Sequence, residues 1–331
     1  MTDEIMVSIC CITYNHEDYI ADAIESFLKQ KTNFKYEILI HDDASTDRTA
    51  DIIRAYENKF PDIIKPIYQI ENQFSKGECI DIIIEKKAKG KYIADCEGDD
   101  YWTEEYKLQK QVDYMEKNPE CTFCFSNAQV ENQNNKNEKR LVIPWLSENG
   151  KYFSGGNKKY SAGELQLLGF IPTMSFLYPR RILENLPDWY FDAPAGDNAL
   201  KLLATSYGYA YYMNEAMCTY RFNVAESVTT KWKEETTQQT LERCNGFIKM
   251  LNDFNEYTNK KYDNDIELSK LTWEVQQLLL IGNHEELKDT RFNKYLNLLS
   301  GPSKIKMYIL IRMPFFVESR KKFKSIIRKY F

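Results

Sequence analysis

Three groups of acidic and polar residues each follow an apolar, strand-like run in the first hundred residues. They are Thr13-Tyr14-Asn15, residues 42–47 and Glu97-Gly98-Asp99-Asp100. These runs alternate with amphipathic segments, a pattern typical of a parallel sheet covered by helices, in which the carboxyl ends of the strands face one crevice. Each group alone also fits a helix cap or a turn. Their recurrence at corresponding strand ends favours a shared ligand site.

Carboxylates gathered at one crevice repel each other, and a divalent cation would relieve that repulsion. Oxygen ligands select a hard ion such as Mg²⁺ or Mn²⁺, which takes one or two carboxylates together with phosphate oxygens of a substrate. The ring of Tyr14 offers a face for a planar base. The 13 glycines form neither a G-x-G-x-x-G nor a P-loop pattern, which counts against a nicotinamide dehydrogenase and a P-loop NTPase. The residues thus predict a nucleoside-diphosphate pocket without a glycine-rich loop.

The pattern of apolar residues predicts the elements that position this pocket. Strands are predicted at residues 6–13, 36–41, 63–68 and 92–95, and helices at residues 16–30, 47–60, 79–89 and 103–117. Residues 131–140 are predicted as a loop or hairpin tip. Further strands are predicted at residues 173–178 and 209–220, around a short helix that begins near Asp197. Residues 232–300 are predicted to be helical, so we divide the chain into a catalytic body at 1–230 and a helical extension at 231–331.

The charge of the chain is unevenly distributed. The 331 residues include 44 Lys+Arg and 49 Asp+Glu, a formal charge of −5, and 43% are hydrophobic, which excludes a disordered chain. Residues 301–331 carry nine Lys/Arg and one Glu, a charge of +8, which leaves −13 on the rest. The acidic body argues against a nucleic-acid partner. The basic amphipathic tail predicts contact with an anionic membrane surface or, alternatively, packing on the body or on a second subunit in a homo-oligomer.

The cysteines and the N-terminus predict a cytoplasmic protein. The eight cysteines lie mostly in apolar runs, and the first residues show no signal-peptide pattern, so reduced thiols are expected. Cys121-Thr-Phe-Cys124 has the spacing of half a zinc site, but no second pair follows and buried strand positions are the better interpretation. No run of about 18 apolar residues is present. With the basic tail, the expected location is the cytoplasm, including the inner face of the cell membrane.

At these motifs the sequence resembles glycosyltransferase family 2, the inverting enzymes of the GT-A fold, of the bacterial cell-surface polysaccharide type. The resemblance rests on residues 7–15, 37–47 and 90–102 and on Gly196-Asp-Asn-Ala-Leu200, and it covers about residues 5–230. It implies an α/β fold with a mixed, mainly parallel sheet flanked by helices, followed here by the helical extension. It also implies transfer of a sugar from a nucleotide-sugar donor, most simply a UDP-sugar, with Mn²⁺ or Mg²⁺ as cofactor.

The resemblance also implies roles for individual residues. A nucleotide-binding set comprises Thr13, Tyr14, Asn15, Asp43 and Asp99, and a metal-binding set comprises Asp100 with Glu97 in support. In the first set, Tyr14 would stack on the base, Asp43 would hydrogen-bond it and Asp99 would contact the ribose. Asp100 would bind the metal that bridges the diphosphate.

Asp197 matches the position of the catalytic base, which takes the proton of an acceptor hydroxyl as the oxygen attacks the anomeric carbon. The acceptor would be a glycan or a lipid-linked glycan. Asp197 also fits the N-cap of the following helix, and the two roles can coexist. One departure concerns Asn223, which stands about where relatives often carry a metal-binding histidine after a Tyr-Arg pair. Arg221 of that pair fits either a phosphate contact or a structural salt bridge.

Two other functions remain open from the sequence. A catalytically silent sugar-nucleotide or glycan-binding protein would keep the same fold, but the complete set of acidic residues favours an enzyme. A nucleotidyltransferase also uses acidic metal sites, but no basic triphosphate motif is found. Trp102, Trp189 and Tyr190 could line an acceptor-sugar site, although aromatic residues near an apolar core are more often packing residues.

Overall fold

The computed structural model describes residues 4–135, 139–145, 156–225, 227–299 and 301–312. Its first sheet contains four parallel strands with an antiparallel strand at one edge, in the order β3-β2-β1-β4-β9. The strands are β1 (Ile5–Thr13), β2 (Lys35–Asp42), β3 (Ile64–Tyr68), β4 (Tyr92–Asp95) and β9 (Tyr178–Pro179). The centres of β1, β2 and β4 are buried, as expected for parallel strands covered on both faces. The four predicted strands are confirmed.

Four helices alternate with these strands, as predicted. They are α1 (Ile20–Leu28), α2 (Thr49–Lys59), α3 (Ile80–Glu85) and α4 (Lys107–Lys117). Each begins one to four residues later than its predicted start. Before α1 and α2 the polar residues form the loops of the candidate site; the backbone amide of His16, for example, donates to Thr49 Oγ1 at 2.8 Å. Site loops rather than helical turns therefore follow β1 and β2.

A second sheet has the order β5-β10-β6-β7, with β8 also paired to β10. Its strands are β5 (Tyr101–Trp102), β6 (Cys121–Asn132), β7 (Lys139–Leu141), β8 (Lys158–Tyr160) and β10 (Tyr209–Phe222). β10 runs parallel to β6 and antiparallel to β5. β6 and β7 form an antiparallel pair, which confirms the predicted hairpin at residues 131–140; a short helix, α5 (Val142–Trp145), follows. An antiparallel bridge between Cys124 and Leu177 joins β6 to the chain just before β9.

The prediction of a strand at residues 173–178 is wrong. Thr173–Ser175 is a single 3₁₀ turn, and only Tyr178 enters a strand, β9. Both donors of Ser175 are taken by Pro172, whose carbonyl accepts from the hydroxyl at 2.6 Å and from the backbone amide at 3.0 Å. The apolar side chains here are buried, but burial alone does not require an extended backbone. The neighbouring helices are α6 (Ala162–Gln166), α7 (Asp188–Phe191) and α8 (Gly196–Ser206).

The remainder of the described chain is helical, as predicted. It forms α9 (Val228–Glu234), α10 (Thr237–Tyr257), α11 (Asp263–Ile281), α12 (Phe292–Leu298) and α13 (Gly301–Arg312). The main hydrophobic core includes Phe247 and Phe254 of α10 and reaches Ile266, beyond the domain boundary expected near residue 230. That boundary stays a prediction. A second cluster joins α11 and α12 to α13.

Two general expectations can be compared with the described residues. All eight cysteines are free, and seven of them are buried. None of the described helices combines the length and the apolar character that crossing a bilayer requires. Helix α13 covers the first part of the basic tail, and its residues Met307, Leu310 and Ile311 are buried. Residues 313–331, with Pro314 and most of the tail's charge, lie outside the described residues.

Candidate functional site

The three polar groups meet where the strands end. In the register of β1 and β2, Thr13 is opposite Asp42. Beyond the end of β4, the Gly98 amide donates to the carbonyl of Ile12 at 2.8 Å. A Cβ atom on Gly98 would lie 2.5 Å from Thr13 Oγ1, so this approach requires glycine. The structure therefore brings the third group against the first, as the strand order predicted.

Asn15 joins the loop after β1 to the loop after β2. Its backbone is left-handed, with φ of 53°. Its amide donates to Ser45 Oγ at 2.8 Å, and its side-chain oxygen accepts from the Thr46 amide at 2.8 Å. Thr13 Oγ1 lies 3.1 Å from His16 Nδ1. These contacts fix the walls of the crevice on both sides of Tyr14.

Asp43 is buried and anchors the loop that follows β3. One carboxylate oxygen accepts from the Gln73 amide at 2.8 Å, and the other accepts from the Phe74 amide at 3.0 Å. A carboxylate has about four acceptor positions, so a contact with a base remains compatible with this geometry. Tyr14 is partly exposed, and no described ring stacks on it. The predicted contacts of both residues with a nucleobase stay predictions.

Glu97, Asp99 and Asp100, which we name the crevice carboxylates, lie between β4 and β5. Asp100 is 2% exposed, and its Oδ1 accepts from the backbone amide of Arg221 at 2.7 Å. Burial, followed by the charges of Asp99 and Glu97, raises the pKa of Asp100 well above its ordinary value. Burial, followed by the charge of Asp99, raises the pKa of Glu97 to about 8. Negative charge is therefore costly here unless a cation is present.

The crevice carboxylates suit a hard divalent cation. Glu97 Oε2 is buried without a hydrogen-bond partner among the described atoms, so one oxygen is available as a ligand. Within the described part of the chain, no three His, Cys, Asp or Glu side chains form a ligand cluster. One or two carboxylates completed by phosphate oxygens are the usual coordination of Mg²⁺. Asp100 and Glu97 thus fit a metal whose other ligands come from the substrate and water.

Arg221 is a buried residue that connects the elements around the crevice. Its side chain is 6% exposed, and its guanidinium donates to the Asp99 carbonyl at 2.9 Å and pairs with Asp22. The guanidinium also lies 5.1 Å from the ring centre of Tyr19 and 4.5 Å from that of Tyr101. Of the two roles open from the sequence, the structure shows the structural salt bridge.

Asn223 directly follows β10, and its side chain binds a lysine. Its side-chain oxygen accepts from Lys233 Nζ at 2.7 Å, and its side-chain nitrogen donates to Asn132 Oδ1 at 3.0 Å. The amide oxygen at the position compared above with a metal-binding histidine is therefore already bound to an ammonium group. Lys233 lies on α9, and burial lowers the pKa of its ammonium group.

Asp197 lies in the first turn of α8. The N-cap of this helix is Ala195, so the interpretation of Asp197 as the N-cap is wrong by two residues. The start of a helix still favours a negative charge. The carboxylate of Asp197 is 23% exposed and lies 3.7 Å from Lys201 Nζ, one turn further along α8. Its Oδ1 also accepts from Asn198 at 3.2 Å.

A second acidic group lies behind Asp197, which the sequence analysis missed. We name Asp81, Glu85 and Asp95 the rear carboxylates. A Cβ atom on Gly196 would lie 2.9 Å from Asp81 Oδ2, and burial with the charge of Asp197 raises the pKa of Asp81 to about 6. The hydroxyl of Tyr178 donates to Glu85 at 2.6 Å and lies 3.2 Å from Asp95. Burial, followed by the charge of Asp81, raises the pKa of Asp95 to about 8.

The three aromatic residues proposed for an acceptor site are packing residues. Trp102, Trp189 and Tyr190 are 4%, 7% and 3% exposed and belong to the main core. The indole of Trp102 donates to the carbonyl of Met174 at 2.8 Å. Their faces are therefore not offered to a sugar ring.

The chain is similar in sequence to a known protein family and to curated proteins. Residues 8–186 match the family described as Glycosyl transferase family 2. Over 127 residues the chain is 40% identical to the Escherichia coli protein WfaP, a UDP-Glc:alpha-D-GlcNAc-diphosphoundecaprenol beta-1,3-glucosyltransferase; the match covers 38% of this chain and 47% of WfaP. The chain spans about half the length of the curated relatives that it matches first.

Solved structures share the fold at low sequence identity. The crystal structure of residues 1–349 of S. aureus TarS in complex with UDP-GlcNAc aligns with a TM-score of 0.59 at 16% identity, over 98% of this chain and 90% of that one. The mannosyltransferase PcManGT from Pyrobaculum calidifontis, in complex with GDP-Man and Mn²⁺, aligns with a TM-score of 0.55 at 14% identity, over 99% and 86%. These alignments agree with the mixed, parallel-rich α/β architecture expected of a GT-A fold.

Proposed function

Because the chain belongs to glycosyl transferase family 2, we propose that it is an inverting glycosyltransferase that moves a sugar from a nucleotide-diphosphate donor to a hydroxyl of a glycan or lipid-linked glycan. The observation that carries this proposal is the convergence of three strand-end groups on one crevice, with Asp197 close by. Asp81 connects the two regions, since it interacts electrostatically with both Asp197 and Glu97.

The donor is proposed to bind across the carboxyl ends of β1, β2 and β4. Tyr14 and Asp43 lie on the side of β1 and β2 and suit the base, and Asp99 lies beyond β4 and suits the ribose. A UDP-sugar is the simplest donor, because WfaP is named for UDP-Glc and TarS was solved with UDP-GlcNAc. GDP-sugars are a second class of candidate donor, because PcManGT was solved with GDP-Man.

Asp100 and Glu97 would hold Mn²⁺ or Mg²⁺, which when bound neutralises charge on the departing diphosphate. The backbone amide of Arg221 fixes Asp100. The Arg221 guanidinium fixes the Asp99 carbonyl. The Asp100 carboxylate and the backbone of Asp99 are therefore held in position before a ligand enters, which lowers the cost of organising the site.

Asp197 is proposed as the general base. Its carboxylate takes the proton of the acceptor hydroxyl while the acceptor oxygen forms a bond to the anomeric carbon. The bond from that carbon to the diphosphate oxygen breaks on the opposite face, which inverts the configuration. A positioned general base contributes about 10²–10⁴-fold to such a step.

A direct test uses the full chain with Mn²⁺ and three donors, UDP-glucose, UDP-GlcNAc and GDP-mannose. Binding is measured by thermal shift, since a ligand of the folded state raises its apparent stability. Release of UDP or GDP measures transfer to water. A transferase should release nucleotide from at least one donor, whereas binding without release would favour the silent binding protein.

We further propose that the tail brings the enzyme to an anionic membrane surface that carries a lipid-linked acceptor. WfaP is named for a diphosphoundecaprenol acceptor, and Ile305, Tyr308 and Ile309 form an exposed apolar stripe on α13. Flotation with phosphatidylglycerol vesicles should compare the full chain with residues 1–312. A cut near residue 300 would instead remove buried Met307 and Leu310 from the second cluster. Equal flotation of both chains would exclude residues 313–331 as the membrane contact.

A further inference from the structure

Lys201 is a buried lysine beside the proposed base. Its side chain is 4% exposed, whereas that of Asp197 is 23% exposed, and the two charged groups are 3.7 Å apart. The spacing of four residues places them on one face of α8. Among the described residues, Asp197 is the one charged partner that the structure gives Lys201.

We propose that Lys201 is a positioning residue that keeps the carboxylate of Asp197 ionised and oriented for proton abstraction. This inference rests on the proposed role of Asp197 as the base. Lys201 acts through Asp197, because its ammonium group is buried and pairs with that carboxylate.

The energetics of the pair favour a functional reason for the lysine. Removing an ammonium group from water is costly, and burial indeed lowers the pKa of Lys201. Neighbouring positions of α8 carry apolar side chains that pack without that cost, such as Leu200 and Leu202. What the lysine adds is a positive charge directed at Asp197.

That charge opposes negative charge that also acts on Asp197. Asp81, on α3, presses against Gly196 and interacts with Asp197. Behind Asp81 stand further carboxylates on and after β4 and on α3, namely Glu85, Asp95 and Glu97. A like charge favours protonation of Asp197, and an opposite charge favours its ionisation. A base that already holds a proton cannot accept one from an alcohol, so the balance between Asp81 and Lys201 decides whether Asp197 functions.

The first experiment measures this balance without requiring turnover. The full chain is labelled with [4-¹³C]aspartate, and the Asp197 carboxyl signal is assigned by its loss in Asp197→Asn. In Lys201→Met the titration midpoint of this signal should move to higher pH, and Lys201→Arg should restore most of the shift. Lys107→Met is the matched control, since it removes another buried lysine, whose ammonium donates to Gln111 at 2.9 Å. It should leave the Asp197 midpoint in place.

The second experiment follows kcat/KM for nucleotide release with the donor that the wild-type chain turns over. Lys201→Met should move the acidic limb of the pH profile up by the same amount, so that activity on that limb falls about tenfold per unit. Activity above the limb should be largely retained. Asp81→Asn removes a like charge and should move the limb down or leave it in place. A shift to higher pH in Asp81→Asn would indicate general disruption of α8 rather than an electrostatic effect.

The two readouts separate the inference from the proposed function. An unchanged Asp197 titration in Lys201→Met overturns the role of Lys201, whatever the activity. A shifted titration in a chain whose turnover does not depend on Asp197 leaves the pair intact and removes Asp197 as the base. Thermal unfolding provides a further check, because a purely structural lysine would lower the melting temperature in Lys201→Met without moving the Asp197 titration.

Discussion

The crevice carboxylates and the rear carboxylates are two acidic groups of similar composition in adjacent places. In both, burial is the largest cause of raised pKa values. They differ in what surrounds them. The crevice group borders Arg221, whereas the rear group accepts a hydrogen bond from the hydroxyl of Tyr178. Each group leaves one buried glutamate oxygen without a partner among the described residues, Glu97 Oε2 and Glu85 Oε2. In the crevice group, Arg221 fixes carboxylates that suit a cation from outside. In the rear group, burial and like charge keep the carboxyl groups protonated, although the hydroxyl of Tyr178 favours their ionised forms.

Asp197 lies beside Asp81 of the rear group, and the loss of Asp197 should have the largest effect. Asp197→Asn keeps the size of the side chain but cannot accept the proton. We expect kcat for nucleotide release to fall by about 10²–10⁴-fold. Calorimetry should show nearly unchanged donor affinity, since neither group of carboxylates is altered. A variant with wild-type kcat would exclude Asp197 as the base.

Asp100→Ala and Asp95→Asn test the contrast directly. Asp100→Ala removes a predicted metal ligand and should weaken Mn²⁺-dependent UDP binding by more than about tenfold. Asp95→Asn changes the rear group and should leave that binding nearly unchanged. Titration calorimetry with UDP, with and without Mn²⁺, measures both. Unchanged UDP affinity with metal in Asp100→Ala would contradict its assignment, and equal losses in the two variants would erase the distinction between the groups.

The rear group should make stability depend on pH. The folded state holds Asp95 protonated up to about pH 8, while an unfolded aspartate releases its proton near pH 4. The folded state therefore binds more protons between these values, so its stability is greatest at the acidic end of the range and falls as the pH rises toward 8. Asp95→Asn removes the carboxyl group that binds this additional proton.

Thermal melts of the metal-free protein at pH 5.5 and 8.5 measure this effect. Asp95→Asn should reduce the loss of stability across that range by on the order of 1 kcal/mol, or about 2 °C for a chain of this size. Asp62→Asn is the matched control, because Asp62 is an exposed carboxylate. If the two variants lost stability equally with pH, the rear group would not hold its protons as inferred.

The sequence predicted one of these groups and not the other. The crevice follows from strand order alone, because Thr13, Asp42 and Glu97 stand at the ends of neighbouring parallel strands. The rear group depends on Tyr178 meeting Glu85 and Asp95, which are far away in sequence, and the segment before Tyr178 was predicted to be a strand. Tertiary packing set its backbone instead.

Other features had a signal in the sequence that could have been used. Lys201 follows Asp197 by four residues in a segment predicted to be helical, and that spacing predicts contact. Asp81 is a charged residue within an apolar run, a pattern that predicts a buried carboxylate. The role of Arg221 could not be decided from the sequence, because its partner Asp22 is almost two hundred residues away and lies on α1.

Tyr178→Phe should have the smallest effect and should act in the opposite direction to Asp95→Asn. The hydroxyl donates to Glu85 and lies beside Asp95, and it lowers the pKa of both carboxyl groups. Removal of the hydroxyl should lower the free energy of unfolding by on the order of 1 kcal/mol. The pKa values of Glu85 and Asp95 should then rise further, so stability should fall more steeply between pH 5.5 and 8.5 than in the wild type. A flatter profile would contradict the inference that the hydroxyl favours the ionised carboxylates of the rear group.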